Sequence, residues 1–551
     1  MYPLKIIPLG GLGEFGLNMM LIEHGDAAIA VDCGLMFPEA NLLGIDLVIP
    51  DVNYLLENHD KLQAIVLTHA HEDHAGALPY ILKHIDVPIY GTRLTLGLLA
   101  NKLREHGLEN HAEVREITAG APWEIAPFRL EGIRVTHSLM DCLALAIETP
   151  VGTVIHTGDF KIDNTPMEGE MFDFQRFAAY GERGVLLLLS DSTNVERAGY
   201  TPSERDVGTN LEQIIAHSTG KVLVSTFSSS IPRIQQVIDI SERCDRRVVL
   251  SGRSMIRNSQ VAADLGYLHL PRSFITDNER WQDMPPDRLT FLTTGSQGEP
   301  LSVLHRVALN DHKTLKIAPG DTVILSSKFI PGNEKTISNL INHLYRRGAE
   351  VHYEKVSEIH VSGHASQEEL KTMLQLTRPR YFVPIHGEYR HLVRHRRLAQ
   401  EVGIPAENCF ILEDGDVLEL TAGSAQKTAP VQVGRVFVDG KGVGDVGDVV
   451  IRDRRHLSED GIVLVVMAIH QQSGEIVAGP DLISRGVLAA EESEEVLESA
   501  KKIVLETLGG MNRETRADPA ELKEEVRKAV RRFFRKKLER FPVVLPYIVE
   551  T

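Results

Sequence analysis

The sequence contains little cysteine and no long apolar run, and these absences exclude several classes of protein. Its 551 residues include four cysteines, which stand far apart and form no C-x-x-C pair: Cys33, Cys142, Cys244 and Cys409. A disulfide framework or a thiolate zinc site is therefore disfavoured, and a reducing compartment is expected. No apolar stretch approaches about 20 residues, which excludes a membrane-spanning helix, and the first residues lack the pattern of a secretory signal. We expect a cytoplasmic protein without a membrane partner.

A net positive charge is also missing. The chain has 59 Lys and Arg against 76 Asp and Glu, a formal net charge of −17, which argues against a surface that is cationic throughout. A local basic groove is still compatible with this total. One candidate is a set of arginines interleaved with Tyr381 and Tyr389, namely Arg378, Arg380, Arg390, Arg394, Arg396 and Arg397. Such a set is typical either of single-strand nucleic-acid binding or of a solvated helix face.

The spacing of apolar residues divides the chain into four segments. Residues 1–204 alternate short β-rich runs with tight turns, which predicts partly antiparallel sheets. Residues 205–365 alternate strands and helices regularly, as a parallel α/β sheet does. Residues 366–455 return to the first pattern, which indicates that the α/β block is an insertion. Residues 456–551 predict a small α+β unit whose last helix has Asp518 as its N-cap.

Two glycine-rich runs, 11–16 and 442–447, fit the pattern G-x-G-x-x-G. The dinucleotide-binding fingerprint requires a helix directly after these glycines, whereas here each run precedes a β-like segment. We therefore predict glycine-rich turns in both places. No G-x-x-x-x-G-K-[ST] loop occurs, which argues against a P-loop nucleotide hydrolase.

The run Thr68-His69-Ala70-His71-Glu72-Asp73-His74 follows the apolar strand 64–67. Alternation at a strand end places His69 and His71 on the same side, and the next turn can bring Asp73 and His74 towards the same point. Imidazole and carboxylate are ligands that zinc and manganese prefer. The run therefore predicts a metal site rather than a chance polar loop.

One loop cannot saturate two metal ions, so further ligands are expected at other strand ends. His137, Asp159 and His386 each follow an apolar run and are candidates. His156 competes with Asp159 for the same role. A lone histidine at a strand end is more often only polar, so the residues alone leave this choice open.

The order of the motifs resembles the metallo-β-lactamase superfamily, its β-CASP branch of nucleases and, more closely still, bacterial ribonuclease J. The matching phrases cover essentially the whole chain: HAHEDH, HTGDFK, SDSTN, GSQGEP, PGNEK, HVSGHA, PIHGEYRHL and DLISRG. The resemblance implies an α/β fold, a metallo-β-lactamase αββα sandwich with an inserted α/β β-CASP domain and a small α+β C-terminal domain. It assigns 1–204 and 366–455 to the sandwich and its linker, 205–365 to the β-CASP domain and 456–551 to the C-terminal domain.

The resemblance also implies a site with two divalent ions, zinc first, with manganese or magnesium as alternatives. One ion would be bound by His69, His71, His137 and Asp159, and the other by Asp73, His74, Asp159 and His386. The implied catalytic residues are Asp191, His364 and Asp73. The implied substrate-binding residues are Ser229, Ser230, His360, Ser362, Gly363 and His364.

Two positions depart from the family pattern. The family usually has Pro before the Asp that follows His137, whereas this chain reads Ser138-Leu139-Met140-Asp141. The serine-rich loop reads Phe227-Ser228-Ser229-Ser230-Ile231-Pro232, where relatives often have Ala-Ser-Asn and no proline. The first change concerns loop shape, and the second leaves open which serine contacts substrate, with Ser229 favoured.

A histidine is suited to protonate the leaving ribose oxygen, and His364 is the candidate. Asp191 is expected to orient water or a ligand histidine, although the two roles could be reversed. The resemblance implies a ribonuclease with 5′→3′ exonuclease activity favoured by a 5′-monophosphate, and endonuclease activity, in RNA maturation and decay. A β-CASP nuclease acting on DNA, a small-molecule hydrolase and a non-catalytic RNA-binding scaffold are the alternatives.

The expected partners are single-stranded RNA with a 5′-monophosphate and further copies of the chain. The last helix carries an apolar stripe of Val526, Val530, Phe533, Phe534 and Leu538, followed by the apolar run 543–545. Such a stripe predicts packing within the unit or, because it offers more apolar surface than a small unit needs, a subunit interface. The resemblance implies a homodimer or homotetramer. Which proteins of RNA degradation would act beside it stays open.

Overall fold

The structure is a computed structural model that describes residues 2–39, 41–167, 170–271, 275–276, 281–330, 332–354, 357–440, 442–471, 473–488 and 493–551. It contains two compact units. The first consists of Met1–Phe37 and Leu47–Val436, and the second of Pro38–Asp46 and Phe437–Thr551. Across the described ranges, no helix combines the length and the apolar character that a membrane crossing requires.

The described strands are β1 Leu4–Gly10, β2 Leu12–Gly13, β3 Met19–His24, β4 Ala27–Val31, β5 Leu47–Pro50, β6 Leu62–Val66, β7 Ile89–Gly91, β8 Val114–Glu116, β9 Trp123–Ile125, β10 Phe128–Arg134, β11 Leu143–Glu148, β12 Thr153–His156, β13 Val185–Asp191, β14 Val222–Ser225, β15 Arg247–Leu250, β16 Ile275–Thr276, β17 Leu289–Thr293, β18 Thr322–Leu325, β19 Glu350–His352, β20 Tyr381–Ile385, β21 Gly387–Glu388, β22 Val417–Leu420, β23 Ala425–Thr428, β24 Arg435–Asp439, β25 Gly442–Val443, β26 Ile462–Ile469, β27 Ile476–Arg485 and β28 Val543–Glu550.

The described α-helices are α1 Asn53–Glu57, α2 Glu72–Ala75, α3 Leu78–Ile81, α4 Arg93–Glu105, α5 Phe174–Arg183, α6 Glu204–His217, α7 Ile231–Arg243, α8 Arg253–Asp264, α9 Val303–Ala308, α10 Glu334–Arg346, α11 Gln367–Thr377, α12 Tyr389–Glu401, α13 Asp448–Asp460, α14 Ser493–Gly510, α15 Arg513–Ala517 and α16 Pro519–Leu538. Short 3₁₀ turns lie at Pro286–Arg288 and Ala406–Asn408.

Two sheets form a sandwich in the first unit. One has the order β23-β22-β1-β3-β4-β6-β7-β8 and the other β20-β13-β12-β11-β10-β9. Strands β1, β3 and β4 pair antiparallel, whereas β4 and β6 pair parallel, which confirms the predicted mixture. A single apolar core joins Ile6 and Ile22 of the first sheet to Leu145, Leu187 and Val383 of the second. The sheets therefore pack face to face, and the predicted metallo-β-lactamase sandwich is confirmed.

A third sheet lies within the insertion, with the order β16-β15-β17-β14-β18-β19. The pairs within this sheet are parallel, as the strand–helix alternation predicts. Helices α7, α8 and α10 follow β14, β15 and β18, and one apolar core joins Ile234 and Met255 of this block to Phe382 of the sandwich. The predicted insertion is confirmed, while its bounds at 204/205 and 365/366 stay predictions because both positions lie inside one compact unit.

The second unit contains the sheet β27-β26-β28 with α14 and α16 packed on it. Asp518 caps α16, because its side chain accepts hydrogen bonds from the backbone N–H groups of Ala520 and Glu521. The sequence analysis missed α13 and strand β28. The statement that a β-like segment follows the glycines of 442–447 is wrong, since α13 begins directly after Gly447. A dinucleotide fingerprint is still not formed there, because β24 and β25 make an antiparallel hairpin before the helix.

Most of the apolar stripe on α16 packs inside its own unit, which confirms the packing role rather than the role as a subunit interface. Val526, Val530 and Phe534 are fully buried against the sheet of the same unit, together with Val544. These residues build the core of the unit and offer no surface to another subunit, while Phe533 and Leu538 of the same stripe are half-buried against that core. The strands expose apolar residues on the other side of the sheet instead, among them Leu545 at 45% and Tyr547 at 61%.

Candidate metal centre

The loop after β6 carries four of the predicted ligands. His69 and His71 stand in the extended chain that follows the strand, and His71 is the N-cap of the short helix α2. Asp73 and His74 lie in that helix, so the change from extended to helical backbone turns them to the second side of the site. The alternation expected for His69 and His71 and the turn expected for Asp73 and His74 are both present.

The first group of ligand atoms belongs to His69, His71, His137 and Asp159. His71 Nδ1 lies 3.0 Å from His69 Nε2 and 3.2 Å from His137 Nε2. Asp159 Oδ2 lies 3.8 Å from both His69 Nε2 and His137 Nε2. All four atoms lie within 4.8 Å of one another, which suits tetrahedral coordination of one ion.

The second group belongs to Asp73, His74, Asp159 and His386. Asp159 Oδ2 lies 3.2 Å from His74 Nε2 and 3.4 Å from His386 Nε2. Asp73 Oδ2 lies 3.7 Å and 3.6 Å from the same two nitrogens. Asp159 is common to both groups, as the resemblance implies, whereas its competitor His156 belongs to neither. The assignment of these residues as ligands stays a prediction that the geometry supports.

The protonation states favour a cation in the first group. Burial lowers the pKa values of His69 and His137 well below the usual range and that of His71 to about 4. These rings are therefore neutral at pH 7, which is the form that binds metal. Burial opposes ionisation of Asp159, but the neighbouring histidines, His386 first, lower the pKa of its carboxyl well below the ordinary value.

The histidines of the second group have raised pKa values when no metal neutralises the neighbouring carboxylates, in contrast to those of the first group. Burial disfavours the charged ring of His386, yet Asp159, Asp191 and Asp73 raise its pKa to about 9. Burial acts in the same direction on His74, and Asp159, Asp73 and Asp32 raise its pKa well above the usual value. Both rings must lose a proton before they can bind a cation, so metal binding at this group releases protons.

One buried atom shows that the donor set fits a metal ion. Asp159 is 3% exposed, and its Oδ1 has no hydrogen-bond partner among the described residues. An ionised oxygen without a partner is costly in a buried site. A bound cation would offset the charge of this carboxylate, and the imidazole and carboxylate groups form two ligand sets that share Asp159, so the residues present fit two ions.

Asp32, which the sequence analysis missed, orients one of the ligands. His74 Nδ1 lies 2.8 Å from Asp32 Oδ2, and the carboxylate also accepts hydrogen bonds from Thr68 N and Oγ1 at 2.8 and 2.9 Å. A carboxylate behind a metal-binding histidine fixes its tautomer and leaves Nε2 for the ion. The available signal was a lone Asp directly after the apolar strand β4.

The chain after Asp32 passes unusually close to the ligand loop. A Cβ atom on Gly34 would lie 1.7 Å from the carbonyl oxygen of Asp73, so only glycine permits this approach. Asn18 Nδ2 donates to the same carbonyl at 3.0 Å, and the backbone N–H of Cys33 donates to the carbonyl of His74. These contacts hold α2 against the first sheet and fix the direction of Asp73 and His74.

Asp191 and His364 form a hydrogen-bonded pair beside the second group. Their Oδ2 and Nδ1 atoms lie 2.8 Å apart. Burial opposes ionisation of Asp191, but His364 lowers the pKa of the carboxyl below its usual value. Because Nδ1 faces the carboxylate, Nε2 of His364 is the ring nitrogen left for a substrate. The contact favours Asp191 as the orienting group and His364 as the proton donor, and both roles stay predictions.

The segment 359–364 lies against the first group of ligands. The carbonyl oxygen of Gly363 is 2.7 Å from His137 Nδ1, which makes it the partner that orients this ring. A Cβ on Gly363 would lie 2.6 Å from the His137 ring, so a side chain there would displace the ligand. Ser362 is buried, and its Oγ accepts from the backbone N–H of His364.

The structure does not decide which serine of residues 228–230 would contact the substrate. Ser229 and Ser230 are half-buried, and none of the hydrogen bonds between described residues joins their side chains to segment 359–364. Ser228 is engaged differently, since its Oγ accepts from Asn258 Nδ2 at 3.0 Å. Burial, together with Arg233, lowers the pKa of His360 to about 3, so His360 is neutral at pH 7.

The predicted basic surface around α12 is only partly present. Tyr381 is 5% exposed and lies in the sandwich core, so it is not available for nucleic-acid binding. Arg390 and Arg394 are paired with Glu196, which reduces their net charge. Tyr389 is 51% exposed and remains a candidate platform.

Four family models match the chain in the order of its segments. They are the metallo-beta-lactamase superfamily over 12–192, the ribonuclease J beta-CASP domain over 219–344, the Zn-dependent metallo-hydrolase RNA specificity domain over 348–411 and the ribonuclease J C-terminal domain over 449–551. Ribonuclease J of Thermus thermophilus is 44% identical over 558 residues, which cover 99% of this chain and 95% of that protein. The chain belongs to the ribonuclease J family.

Other relatives in this family agree over the same length. Ribonuclease J of Helicobacter pylori is 40% identical and covers 98% of this chain and 79% of its own. Ribonuclease J2 of Bacillus subtilis is 39% identical, with 99% and 98% covered. A crystal structure of a protein of unknown function from Enterococcus faecalis superposes with a TM-score of 0.53 at 17% identity, over 76% of this chain and all of that one. That likeness shows the fold alone.

Proposed function

We propose that this protein is a metal-dependent ribonuclease that removes nucleotides from the 5′ end of single-stranded RNA, favours a 5′-monophosphate and also cleaves internally. Its settings would be RNA maturation and decay. The observation that carries the proposal is the pair of ligand groups that share Asp159, directly beside the Asp191–His364 pair. Membership of the ribonuclease J family supports RNA as the substrate.

Two divalent ions, zinc first, would be held by the seven ligands. His69, His71 and His137 would bind one ion, Asp73, His74 and His386 the other, and Asp159 both. When bound, such ions neutralise charge on the phosphodiester and lower the pKa of an attacking water. Asp32 and the Gly363 carbonyl keep His74 and His137 in the tautomers that this arrangement needs.

His364 would carry the proton to the leaving ribose oxygen. Its Nδ1 is held by Asp191 at 2.8 Å, and the ring is 19% exposed while Asp191 is buried. The buried carboxylate therefore orients the ring, while Nε2 can exchange a proton with the substrate. A neutral His364 would return to the protonated form from solvent after each cleavage.

The substrate's terminal phosphate would be bound by the segment around Ser362. His360, Ser362 and Gly363 precede the proton donor, and Ser229 or Ser230 would contribute from the serine loop. Small residues with backbone N–H groups and hydroxyls suit a phosphate. A neutral His360 can take part as a hydrogen-bond donor without attracting a triphosphate by net charge.

We also propose that the protein assembles into a homodimer or homotetramer. The surface that supports this is the open face of the sheet β27-β26-β28. It exposes Ile483, Leu545, Tyr547 and Val549 at 49%, 45%, 61% and 41%. Contiguous apolar residues of this kind mark interaction surfaces. The cytoplasmic location stays a prediction.

A product analysis with end-labelled substrates tests the catalytic proposal. Matched single-stranded RNAs with 5′-monophosphate, 5′-triphosphate or 5′-hydroxyl ends, and a DNA of the same sequence, are incubated with and without a chelator. We expect mononucleotides from the 5′-monophosphate RNA, slower release from the triphosphate RNA and no products with chelator. Equal rates on RNA and DNA would contradict RNA specificity. Equal rates on all 5′ ends would contradict the proposed pocket for the 5′-phosphate.

A further inference from the structure

The side chain of Arg233 is 2% exposed and is the largest among the fully buried ones, yet the site described above does not use it. It lies in the first turns of α7, directly after the serine loop. Burying a guanidinium is costly unless hydrogen bonds satisfy its N–H groups. The residues that satisfy it show what the group holds together.

One partner of Arg233, Gln236, lies on the same helix and accepts from Arg233 Nε at 3.0 Å. The other partners lie at both places where the chain passes between the sandwich and the insertion. On the way in, the guanidinium pairs with Glu204, the first residue of α6. On the way out, Nη1 donates to the carbonyl oxygen of Ile359 at 2.7 Å. Ser326 bonds to both, because its Oγ contacts Nη1 and donates to the Ile359 carbonyl at 2.7 Å.

Glu204 is itself fixed to the sandwich. It lies 3.5 Å from Lys161 Nζ, and its backbone N–H donates to Asp163 Oδ2 at 3.0 Å. Lys161 and Asp163 follow the shared ligand Asp159 by two and four positions. A continuous chain of buried polar contacts therefore runs from the strand end that carries Asp159, through Arg233, to Ile359.

Segment 359–364 is held at its two ends by different groups. At the downstream end, the His364 ring is hydrogen-bonded to Asp191. The backbone carbonyl of His364 accepts hydrogen bonds from Asn194 Nδ2 at 3.3 Å and from Thr201 Oγ1 at 2.8 Å. At the upstream end, the hydrogen bonds that side chains of the described residues donate to the Ile359 carbonyl come from Arg233 and Ser326. The upstream half carries His360 and leads to Ser362, whereas the downstream half carries the proton donor.

We propose that Arg233 is a positioning residue that sets the 5′-phosphate-binding half of segment 359–364 relative to the metal ligands, an inference that rests on the proposed function. The guanidinium fork is required, because one group must reach Glu204, Ser326 and Ile359 at once. Lysine keeps the charge but offers a single nitrogen. Arg233→Lys therefore removes the hydrogen bonds that position the segment while it keeps the positive charge.

The test measures kcat and KM of Arg233→Lys on 5′-monophosphate and 5′-hydroxyl RNA of one sequence, and hydrolysis of bis(p-nitrophenyl) phosphate. The small diester reports on the metal site without a 5′ end. We expect KM for the 5′-monophosphate RNA to rise about tenfold, the typical effect of losing hydrogen bonds to a charged group. The preference over 5′-hydroxyl RNA should shrink, and the loss on RNA should exceed the loss on the small diester.

Arg243→Lys is the matched control, because Arg243 lies on the same helix and forms a two-bond pair with Glu212, but on the surface. If Arg233→Lys matches this control in KM and in 5′-end preference, the positioning role is wrong. Thermal unfolding shows whether Arg233→Lys folds. If Arg233→Lys does not fold, the same KM is measured for Ser326→Ala, which removes only the bridging hydroxyl. An unchanged KM and 5′-end preference would then contradict the positioning role. Failure of the unmodified protein to degrade RNA would instead contradict the proposed function.

Discussion

Asp32→Asn should weaken metal binding although Asp32 touches no metal ion. The substitution keeps the shape of the side chain and the oxygen Oδ1, which accepts from the backbone N–H of Thr68. The Thr68 hydroxyl, which now donates to Oδ2, must turn to accept from the new amide. The substitution replaces the oxygen that faces His74 Nδ1, now 2.8 Å away, by an amide that donates. Nδ1 of His74 must then accept, so the proton moves to Nε2, the nitrogen that lies 3.2 Å from Asp159 and faces the ion.

The expected magnitude follows from this tautomer change. Loss of such an orienting partner typically weakens metal affinity about 10–100-fold, which corresponds to about 1.4–2.7 kcal/mol. With metal in excess, the stabilisation that it gives the folded protein should fall by the same amount. The backbone should not suffer, because Asp32 has a φ of 63° and Asn tolerates this left-handed conformation well.

The assay is a competition titration of zinc with a chromophoric chelator, together with thermal unfolding with metal and with EDTA. Asp141→Asn is the matched control: Asp141 is also buried, has a φ of 62° and accepts from Arg134 and Tyr267 rather than from a ligand histidine. We expect normal zinc affinity in the control. If the two variants bind zinc equally, Asp32 does not set the tautomer of His74 and the reasoning fails.

Three further predictions concern the ligands and the assembly. Gly363→Ala should lower activity about tenfold or more, because its Cβ would lie 2.6 Å from the His137 ring and a displaced ligand weakens the metal; retained zinc affinity and cleavage rates would contradict this. Zinc affinity should fall as pH decreases below about 9, because His386, with a pKa raised to about 9, must lose its proton on binding; isothermal titration in buffers of different ionisation enthalpy measures that proton, and its absence would refute the assignment. Tyr547→Glu should reduce the oligomeric state in light scattering, because it places a charge on the exposed face of β28, and an unchanged mass would locate the interface elsewhere.

The ligand loop could be predicted from the residues because its signals are local: His69 and His71 alternate at a strand end, and Asp73 and His74 follow in the next turn. His137, Asp159 and His386 were only candidates, as polar residues after apolar strands, and the resemblance to the family selected them. Asp32 lies in an equivalent position after β4 but bonds to Thr68 and His74 in the loop after the neighbouring strand β6. Nothing in its own neighbourhood distinguishes an orienting carboxylate from a turn residue.

The fold was predictable where the hydrophobic period was unambiguous. The strand–helix alternation gave the parallel sheet of the insertion, and Asp518 marked the start of α16. The sequence could not decide between packing and assembly for the stripe on α16, because periodicity shows that Val526 and Phe534 must be covered but not which element covers them. Strand β28 supplies part of that cover, and it was read only as a short apolar run.

A zinc titration of RNA cleavage tests the central claim most directly. Metal-free protein receives increasing equivalents of zinc, and cleavage of a 5′-monophosphate RNA is measured together with bound zinc per chain. The two ligand groups that share Asp159 predict that activity reaches its maximum at two ions per chain. They also predict that Asp73→Ala stays folded, binds one ion less tightly and loses cleavage. Full activity of the unmodified protein with no metal or with one ion, or wild-type cleavage by metal-free Asp73→Ala, would contradict the two-metal account.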